Sequence, residues 1–347
     1  MKTIKKLALK LDDFRSDYGL VFDQSKILDT CQKLSTDLSG YSVHFSVKSF
    51  PSHDFLKTIS PFIDGWDIST LRELDYIRPL IGLKHSLWLT NGDTKVLSQA
   101  LDAAALIYYT LDNTTDLSYD YPEKVNLGLR LDPYDLLQRG HSRYGFLLSQ
   151  VSELPPQLKK RIKFLHCHCP GVITGKELNG IRSAMNPIIQ DFPNLKLINL
   201  GGGLTSCNID SFEMLKEIYE QPKLALEPGR WFSESAGSAF SKIDSIFEKE
   251  GDLYLVGKLS PDAHLKWARG MSYTFINLGH EKIYSYKRLI YSSSNALESD
   301  QIILKQTPGN ISIVPGDWLV LEKIPGYSVA WNHEFNGVPQ APVFFIE

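Results

Sequence analysis

The sequence has few cysteines, no long apolar run and no excess of either charge. Its 347 residues include four cysteines, all within the first 207 positions, so a framework of disulfide bonds is not expected in a chain of this size. No stretch of about 18 uncharged apolar residues occurs, so the sequence predicts no membrane-spanning helix. The net charge of −3 gives no reason to expect nucleic acid or an anionic membrane as a partner.

The start of the chain also lacks the pattern of a secretion signal. The segment MKTIKKLALKLDDF is basic, but its apolar part is too short and too charged for a signal peptide. We therefore expect a cytoplasmic protein. The spacing of the apolar residues in this segment is compatible with a β-strand over residues 3–11.

Short apolar runs recur through residues 43–228, and helix-like segments separate most of them. Near-continuous apolar strands that alternate with helices indicate parallel strands covered on both faces. Eight such units in roughly 200 residues predict a (β/α)8 barrel, with a doubly wound sheet as the alternative. The eight runs are VHFSV (43–47), GWDIS (65–69), SLWLT (86–90), LIYYT (106–110), VNLGLRL (125–131), KFLHCH (163–168), LKLINL (195–200) and KLALEP (223–228).

The pattern changes after about residue 240. Strand-like runs such as LYLVG, ISIVP, WLVLEKI and PVFFIE alternate with the turns PGN, PGDW and PGY, which indicates a smaller all-β domain. The strand predicted near the N-terminus could join it. We therefore predict an α/β protein with a barrel over residues 20–240 and a β-domain made of residues 1–19 and 241–347.

Charged residues, histidines and glycines collect where the predicted barrel strands end. Active sites of such barrels lie at the C-terminal ends of the strands, so these side chains should face one mouth. They are Lys48, Asp67, Arg130, His166, His168, Gly201, Gly202, Gly203, Glu227, Gly229 and Arg230.

Three of these features point to a common chemistry. A lysine at a strand end is either a surface residue with a buried stem or an amine that burial deprotonates for imine formation with a carbonyl. The glycine loop LGGGLTS (200–206) is either a tight turn or a backbone cradle for phosphate. EPGR (227–230) adds an acid and a second cradle. Lysine, phosphate loop and acid together describe a site for pyridoxal 5′-phosphate (PLP).

The segment HCHC (166–169) raises the possibility of a zinc site. The two-residue period of a strand places the two histidines on one face and the two cysteines on the other, so four ligands cannot converge from it. We predict no metal site, and one histidine packed over a flat ring.

Eight motifs, in order along nearly the whole chain, resemble those of the PLP-dependent decarboxylases built on an alanine-racemase-like barrel. This family includes diaminopimelate, ornithine, arginine and carboxynorspermidine decarboxylases, and the ending FNGVPQAPV is most similar to the carboxynorspermidine branch. The motifs are SVKSFP (46–51), DGWDIST (64–70), LGLRLDP (127–133), SRYGF (142–146), FLHCHCPG (164–171), NLGGG (199–203), EPGR (227–230) and GDWLVLEKIPGYSVAWNHEFNG (316–337).

The resemblance implies roles for the polar residues of the barrel. Lys48 would form the aldimine with PLP, with Asp67 near it, and His168 would stack on the pyridine ring. Arg130 would approach the phenolic oxygen side of the cofactor. Glu227 would pair with the protonated pyridine nitrogen, which keeps the ring able to accept electrons when CO2 leaves.

The resemblance also implies a phosphate site and a second subunit. Gly202, Gly203, Gly229 and Arg230 would hold the phosphate, mainly through backbone N–H groups. Tyr327 would reach the phosphate or the substrate from the β-domain, and Arg230 is also a candidate substrate contact. Family members form their sites between two subunits, so a homodimer is implied.

Two family features are missing. Family decarboxylases carry a cysteine in a segment that corresponds to YSSSNALESD (291–300), which has none. The serine or glutamate that usually follows the histidine strand is replaced by residues 170–171, Pro-Gly. Glu298 and Asp300 are candidates to bind a distal amine of the substrate, with a solvated acidic turn as the alternative.

Three functions therefore compete. The favoured one is decarboxylation of a basic or carboxyl-bearing amino acid or a polyamine precursor. An amino-acid racemase or epimerase would use the same aldimine but needs a second base, for which Tyr273 and His264 are candidates. A non-catalytic PLP-binding protein would need only the barrel.

Overall fold

The chain forms two compact units. A computed structural model describes residues 6–11, 13–90, 94–169, 171, 173–218, 222–268, 270–276, 282–295 and 297–347. The barrel unit is Asp29–Trp231, and the β unit joins Met1–Leu28 to Phe232–Glu347. Within the described residues, no helix combines the length and the apolar character that a membrane crossing requires.

The first strand of the β unit lies later than the sequence predicted. β1 spans Tyr18–Asp23. The prediction of a strand over residues 3–11 is wrong for its described part, because residues 6–8 are helical. Leu7 and Leu11, four residues apart, are both buried, whereas Leu9 is 83% exposed. This is the spacing of a helix face and not of a strand face.

The predicted barrel is confirmed. Eight parallel strands pair in sequence order, and the last pairs with the first to close the barrel. The strands are β2 (Tyr41–Ser46), β3 (Gly65–Ile68), β4 (Ser86–Thr90), β5 (Ile107–Leu111), β6 (Val125–Leu131), β7 (Ile162–Cys167), β8 (Leu197–Asn199) and β9 (Lys223–Leu226).

Helices follow most of these strands. Thr70 and Thr174 each begin a helix with a capping box, in which the threonine hydroxyl and a glutamate three residues later satisfy backbone N–H groups. The helices are α1 (Gln24–Asp37), α2 (His53–Ile59), α3 (Leu71–Ile77), α4 (Thr94–Ala103), α5 (Pro133–Leu136), α6 (Leu148–Ser152), α7 (Pro156–Arg161), α8 (Gly175–Ile189) and α9 (Ile209–Ile218).

Large aromatic rings fill the interior of the barrel. The ring of Trp88 stacks on Tyr108 at 4.7 Å between centroids and meets Phe164 edge-on at 4.4 Å. Small residues on other strands make room for them. At Gly128 a Cβ atom would lie only 2.0 Å from the ring of Phe164. The interior is thus a packed core and not a channel, as is usual for such barrels.

The β unit is built on a separate eight-stranded sheet. β1 pairs antiparallel with β10 and parallel with β18, so the N-terminal part of the chain does join this domain. Its core packs Leu7 and Val21 against Phe240, Trp318 and Ile346. The remaining strands are β10 (Gly237–Lys249), β11 (Asp252–Gly257), β12 (Ser272–Ile276), β13 (Ile283–Tyr286), β14 (Arg288–Ser293), β15 (Gln301–Lys305), β16 (Gly309–Ser312), β17 (Trp318–Glu322) and β18 (Val343–Ile346), with the short helices α10 (Pro261–His264) and α11 (Tyr327–Trp331). Of these strands, β13 and β16 pair with each other in a separate two-stranded sheet, and the other seven complete the eight-stranded sheet with β1.

The packing of the barrel interior gives a test of the fold. We expect Gly128→Ala to lower the free energy of unfolding by about 1–3 kcal/mol, because the added methyl group overpacks the core against Phe164. Gly82→Ala is the matched control, since its Cβ would meet nothing closer than 3.8 Å. Phe164→Leu should relieve part of the loss in the double variant. Additive effects in urea unfolding of the single and double variants would contradict the predicted clash.

Candidate active site

A layer of polar side chains lies at the C-terminal ends of the barrel strands. Strand residues two apart point to the same side of a sheet, so the residues two positions after the interior packing layer also face inward. In this second layer all the side chains are polar and buried. They are Ser46, Asp67, Thr90, Thr110, Arg130, His166, Asn199 and Glu227.

Lys48 lies directly above this layer, in a single helical turn (Val47–Ser49) that follows β2. Its Nζ donates to Asp67 Oδ2 at 2.9 Å. Asp67 is fully buried and also accepts a hydrogen bond from Ser46 Oγ at 2.8 Å on the same oxygen. The Lys48 side chain is 45% exposed, so the amine is both anchored and accessible.

The charges around Lys48 set its protonation state, which the sequence left open. Desolvation lowers the pKa of Lys48, but the carboxylates of Asp67 and Glu227 outweigh it, and the net pKa lies above its ordinary value. Burial raises the pKa of Asp67, the Lys48 ammonium lowers it, and the net result lies below the ordinary value. Of the two alternatives that the sequence left open for Lys48, this balance of charges favours a protonated amine in the free protein. The amine is an ammonium in a salt bridge.

Glu227 directly follows β9 and is buried beside Asn199 of β8 and His166 of β7. Asn199 Nδ2 donates to Glu227 Oε1 at 2.6 Å, and His166 Nε2 lies 3.6 Å from Oε2. Burial raises the pKa of Glu227 to about 8, with the negative charge of Asp67 adding to the rise and Lys48 opposing it. Burial also lowers the pKa of His166 well below its ordinary value, so this ring is neutral.

His168 and the glycine loop are in direct contact. The N–H of Gly202 donates to His168 Nδ1 at 3.1 Å. Gly201 has a φ of +67°, which favours glycine, and a Cβ there would lie 2.5 Å from the His168 ring. Burial lowers the pKa of His168 to about 4, so the neutral ring carries its proton on Nε2. The ring is 35% exposed and leaves a face open.

Arg130 is held rigidly in the layer. Its Nη1 donates to Asp112 Oδ1 at 3.0 Å, and its guanidinium lies 4.6 Å from the ring centroid of Tyr144. Burial raises the pKa of Asp112 despite the opposing charge of Arg130. Sequence reasoning did not identify Asp112 or Tyr144, although Tyr144 lies within the SRYGF motif.

The remaining predicted site residues of the barrel are Gly203, Gly229 and Arg230. Gly203 has a φ of +85°, and Gly229 is buried. Arg230 is half-buried and begins a short helical turn, Arg230–Phe232. The structure thus brings Lys48 and Asp67 together, and joins His168 and Glu227 to the loop. The role of Gly203, Gly229 and Arg230 in binding a phosphate stays a prediction.

Three predicted residues belong to the β unit. Tyr327 begins α11 and lies 6.4 Å from Trp267 between ring centroids. Glu298 is exposed. Asp300 is 1% exposed, and its carboxylate accepts hydrogen bonds from the hydroxyls of Ser260 and Ser293. These contacts favour a structural role for Asp300 over the predicted contact with a substrate amine, which stays a prediction for Glu298.

The HCHC segment behaves partly as the strand period predicts. The thiols of Cys167 and Cys169 hydrogen-bond to each other. The ligand atoms of His166, His168 and Glu227 lie within 4.8 Å of one another, a group that could hold a metal ion. Because His168 Nδ1 already accepts the N–H of Gly202, the arrangement suits a flat organic ring better than a metal.

These residues fit PLP. Asp67 Oδ1 and both ring nitrogens of His166 are buried and have no hydrogen-bond partner among the described residues. The pKa of the Glu227 carboxyl is about 8, and a cationic ring nitrogen beside it would stabilise the ionised form. The glycine loop brings its backbone against the His168 ring, where any side chain at Gly201 would collide. The N–H groups of Gly201 and Gly202 are already bonded to Asn199 and His168.

The raised pKa of Glu227 predicts a pH dependence of stability. The folded pKa of about 8 exceeds that of the unfolded chain, so the contribution of this group to stability is fully present below about pH 4.3 and is lost as pH rises through 8. Wild-type protein without cofactor should therefore lose stability over this interval, by at most about 1.4 kcal/mol per pH unit from this residue.

Glu227→Gln should remove this part of the loss, measured as the free energy of unfolding in urea at pH 5, 6.5 and 8. Glu177→Gln is the control, because bonds from Thr174 and Arg139 hold the pKa of Glu177 at about 2, below this interval. An unchanged slope in Glu227→Gln would show that the carboxyl is ionised throughout.

Comparison with known proteins supports the resemblance inferred from the motifs. No protein-family model matches the chain. A diaminopimelate decarboxylase of Staphylococcus aureus (strain COL) is 21% identical over 94% of this chain and 88% of its own length. A probable ornithine decarboxylase of Dictyostelium discoideum is 22% identical over 99% of this chain and 82% of its own.

Solved structures show the same fold. The lysine/ornithine decarboxylase from Vibrio vulnificus, complexed with cadaverine, has a TM-score of 0.81 at 16% identity and covers 99% of this chain and 98% of its own. The carboxynorspermidine decarboxylase from Campylobacter jejuni, complexed with norspermidine, has a TM-score of 0.75 at 16% identity over 94% and 93% of the two chains. All four of these proteins are decarboxylases, so the predicted similarity to this family, and the barrel with a β-domain, are confirmed.

Proposed function

We propose that the protein is a PLP-dependent decarboxylase of a basic or carboxyl-bearing amino acid or a polyamine precursor. The observation that carries the proposal is the position of Glu227, a buried carboxyl with a pKa of about 8 in the same polar layer as the accessible amine of Lys48 and its partner Asp67. Relatives that match over nearly the whole chain are decarboxylases of amino acids, which supports this reaction.

Different residues of the barrel would hold different parts of the cofactor. Lys48 would bind its aldehyde carbon, and Glu227 would hold a proton on its ring nitrogen. The open face of His168 would pack on the ring. Bound PLP supplies an electron-poor ring that stabilises the electron pair left when CO2 departs. The loop at Gly202 and Gly203 would bind the phosphate, together with Gly229 and Arg230. For Gly202 this requires its N–H to exchange His168 Nδ1 for a phosphate oxygen.

Lys48 and Asp67 would also control a proton. The salt bridge keeps the Lys48 amine protonated in the free protein, so Lys48 would have to pass a proton to Asp67 or to water before its neutral amine could attack a carbonyl. Once free of the cofactor again, Lys48 Nζ would regain a proton within reach of the reacting carbon. Asp67, fully buried, keeps the amine in place at each stage.

We extend the proposal to the substrate and the assembly. Arg230, Glu298 and Tyr327 are the proposed substrate contacts, Asp300 being already bonded within the β unit. Relatives named for lysine, ornithine, diaminopimelate and carboxynorspermidine support a substrate with a second charged group. We also propose a cytoplasmic homodimer with shared sites, by similarity to the family.

A racemase is the second candidate, and one observation counts against it. A second base would have to accept a proton, but both ring nitrogens of His264 are engaged. Nδ1 accepts from the N–H of Ser260 at 2.9 Å, and Nε2 donates to the carbonyl of Pro339 at 3.0 Å. Tyr273 is half-buried and stays the remaining candidate base. A non-catalytic carrier would not need the β unit.

The proposal is tested first by trapping the cofactor. Protein loaded with PLP should absorb near the visible range, and borohydride should fix the cofactor to a peptide that contains Lys48. Lys48→Ala should lose both the fixation and turnover by several orders of magnitude, whereas Lys57→Ala, an exposed lysine of α2, should not. Lysine, ornithine, arginine, diaminopimelate and carboxynorspermidine should then be scored for CO2 release against loss of optical activity. Fixation at another lysine, or racemisation without CO2, would contradict the proposal.

Glu227→Gln tests the reaction step separately. The amide keeps the size of the side chain but cannot hold a proton on the ring nitrogen by its charge. We expect turnover to fall about 100-fold or more, roughly 3 kcal/mol of barrier, while the Michaelis constant changes much less. Unchanged turnover would show that Glu227 does not partner the ring, and loss of cofactor alone would make it an anchor.

A further inference from the structure

Three hydrogen bonds link the acid at the end of β9 to the glycine loop after β8. The Gly201 N–H donates to Asn199 Oδ1 at 2.8 Å, Asn199 Nδ2 donates to Glu227 Oε1 at 2.6 Å, and the Glu227 N–H donates to the Gly201 carbonyl at 2.8 Å. Together they form a closed ring in which Asn199 is the one side chain that touches both partners.

The contacts fix the orientation of the Asn199 amide. A backbone N–H can only donate, so the atom facing Gly201 must be the carbonyl oxygen, and the NH2 group must face Glu227. Asn199 is fully buried, and its neighbours in the strand register are His166 on β7 and Ala225 on β9. No rotation of the amide could satisfy both contacts in another way.

We propose that Asn199 is a positioning residue that fixes Glu227 and the glycine loop as one unit, so that the partner of the cofactor's ring nitrogen and the loop for its phosphate are set together. This inference rests on the proposed function. Sequence reasoning used the segment NLGGG only for its glycines, and gave Asn199 no role.

A neutral hydrogen-bond donor matters at position 199 because several charged groups already face Glu227. Asp67 on β3 adds negative charge, while Lys48 after β2 and Arg130 on β6 add positive charge. The rings of His166 and His168 on the β7 side are neutral. Asn199 is the described side chain within hydrogen-bond distance of the Glu227 carboxyl, so a second acid in its place would meet Glu227 directly.

The test replaces the donor and keeps the acceptor. In Asn199→Asp one carboxylate oxygen can still accept from Gly201, but the other faces Glu227, and two carboxyls at this distance must share one proton. While the two carboxyls share that proton, one of them donates a hydrogen bond to the other, as the Asn199 amide does to Glu227 in the wild type. As pH rises and the proton leaves, the two charges repel. We expect PLP to bind the variant about tenfold to a hundredfold more weakly than wild type at pH 8, with the gap closing towards pH 6.

The measurement is equilibrium binding of PLP to protein without cofactor, followed by absorbance from pH 6 to 8. Asn126→Asp is the matched control. The Asn126 amide also donates a hydrogen bond within the barrel, to the carbonyl of Ile107, but it lies at the N-terminal end of β6, the end opposite the polar layer. This variant should bind like wild type at each pH. In turnover, Asn199→Asp should lower kcat more than it changes KM.

The outcomes separate the two proposals. Loss of affinity that grows with pH in Asn199→Asp alone supports the inference. Affinity equal to wild type at pH 8, or a loss of the same size at every pH, overturns it. Failure of wild type itself to bind PLP overturns the proposed function instead. If thermal unfolding shows that Asn199→Asp does not fold, Asn199→Ser carries the test, since its hydroxyl is too short to reach Glu227. It should bind PLP about tenfold more weakly, and wild-type affinity there would overturn the inference.

Discussion

Two buried carboxylates compete for one nearby amine at the mouth of the barrel, and the chemistry of the site depends on how that competition ends. Lys48 lies 2.9 Å from Asp67, whose pKa it lowers. Glu227 is left without an equally close cation, so burial raises its pKa to about 8. The two acids of the same layer therefore differ in protonation. Asp67 tends to be ionised, and Glu227 tends to hold a proton.

The core beneath this layer makes the asymmetry possible. Trp88, Tyr108 and Phe164 fill the interior through close ring contacts, and Gly128 leaves the space that Phe164 needs. Such a core excludes water from one side of the polar layer, so each charge there interacts in a low dielectric. The packing that stabilises the barrel is thus also what shifts the pKa values at its mouth.

The sequence predicts the parts of this structure that a local pattern encodes. Buried parallel strands are continuous apolar runs, and all eight were identified from that property. The strand expected over residues 3–11 was wrong because alternating leucines with charged neighbours fit a helix turn as well. The sequence left open whether Lys48 is charged, because its pKa depends on Asp67, 19 positions away in the chain and 2.9 Å away in space. Asn199 opens the NLGGG motif, but no local pattern indicated its role, because its partner Glu227 lies 28 residues later.

The protonation state of Glu227 in the free protein determines which proton would have to move when the cofactor binds. With a pKa of about 8, its carboxyl carries a proton in much of the population near neutral pH. If Glu227 partners the ring nitrogen of PLP as proposed, it would either give its proton to an unprotonated nitrogen or release that proton to water when the nitrogen is already protonated. In both cases Glu227 would share a single proton with the ring. The cost of burying this acid in the free protein would then be offset on binding, which would couple cofactor affinity to the stability of the barrel mouth.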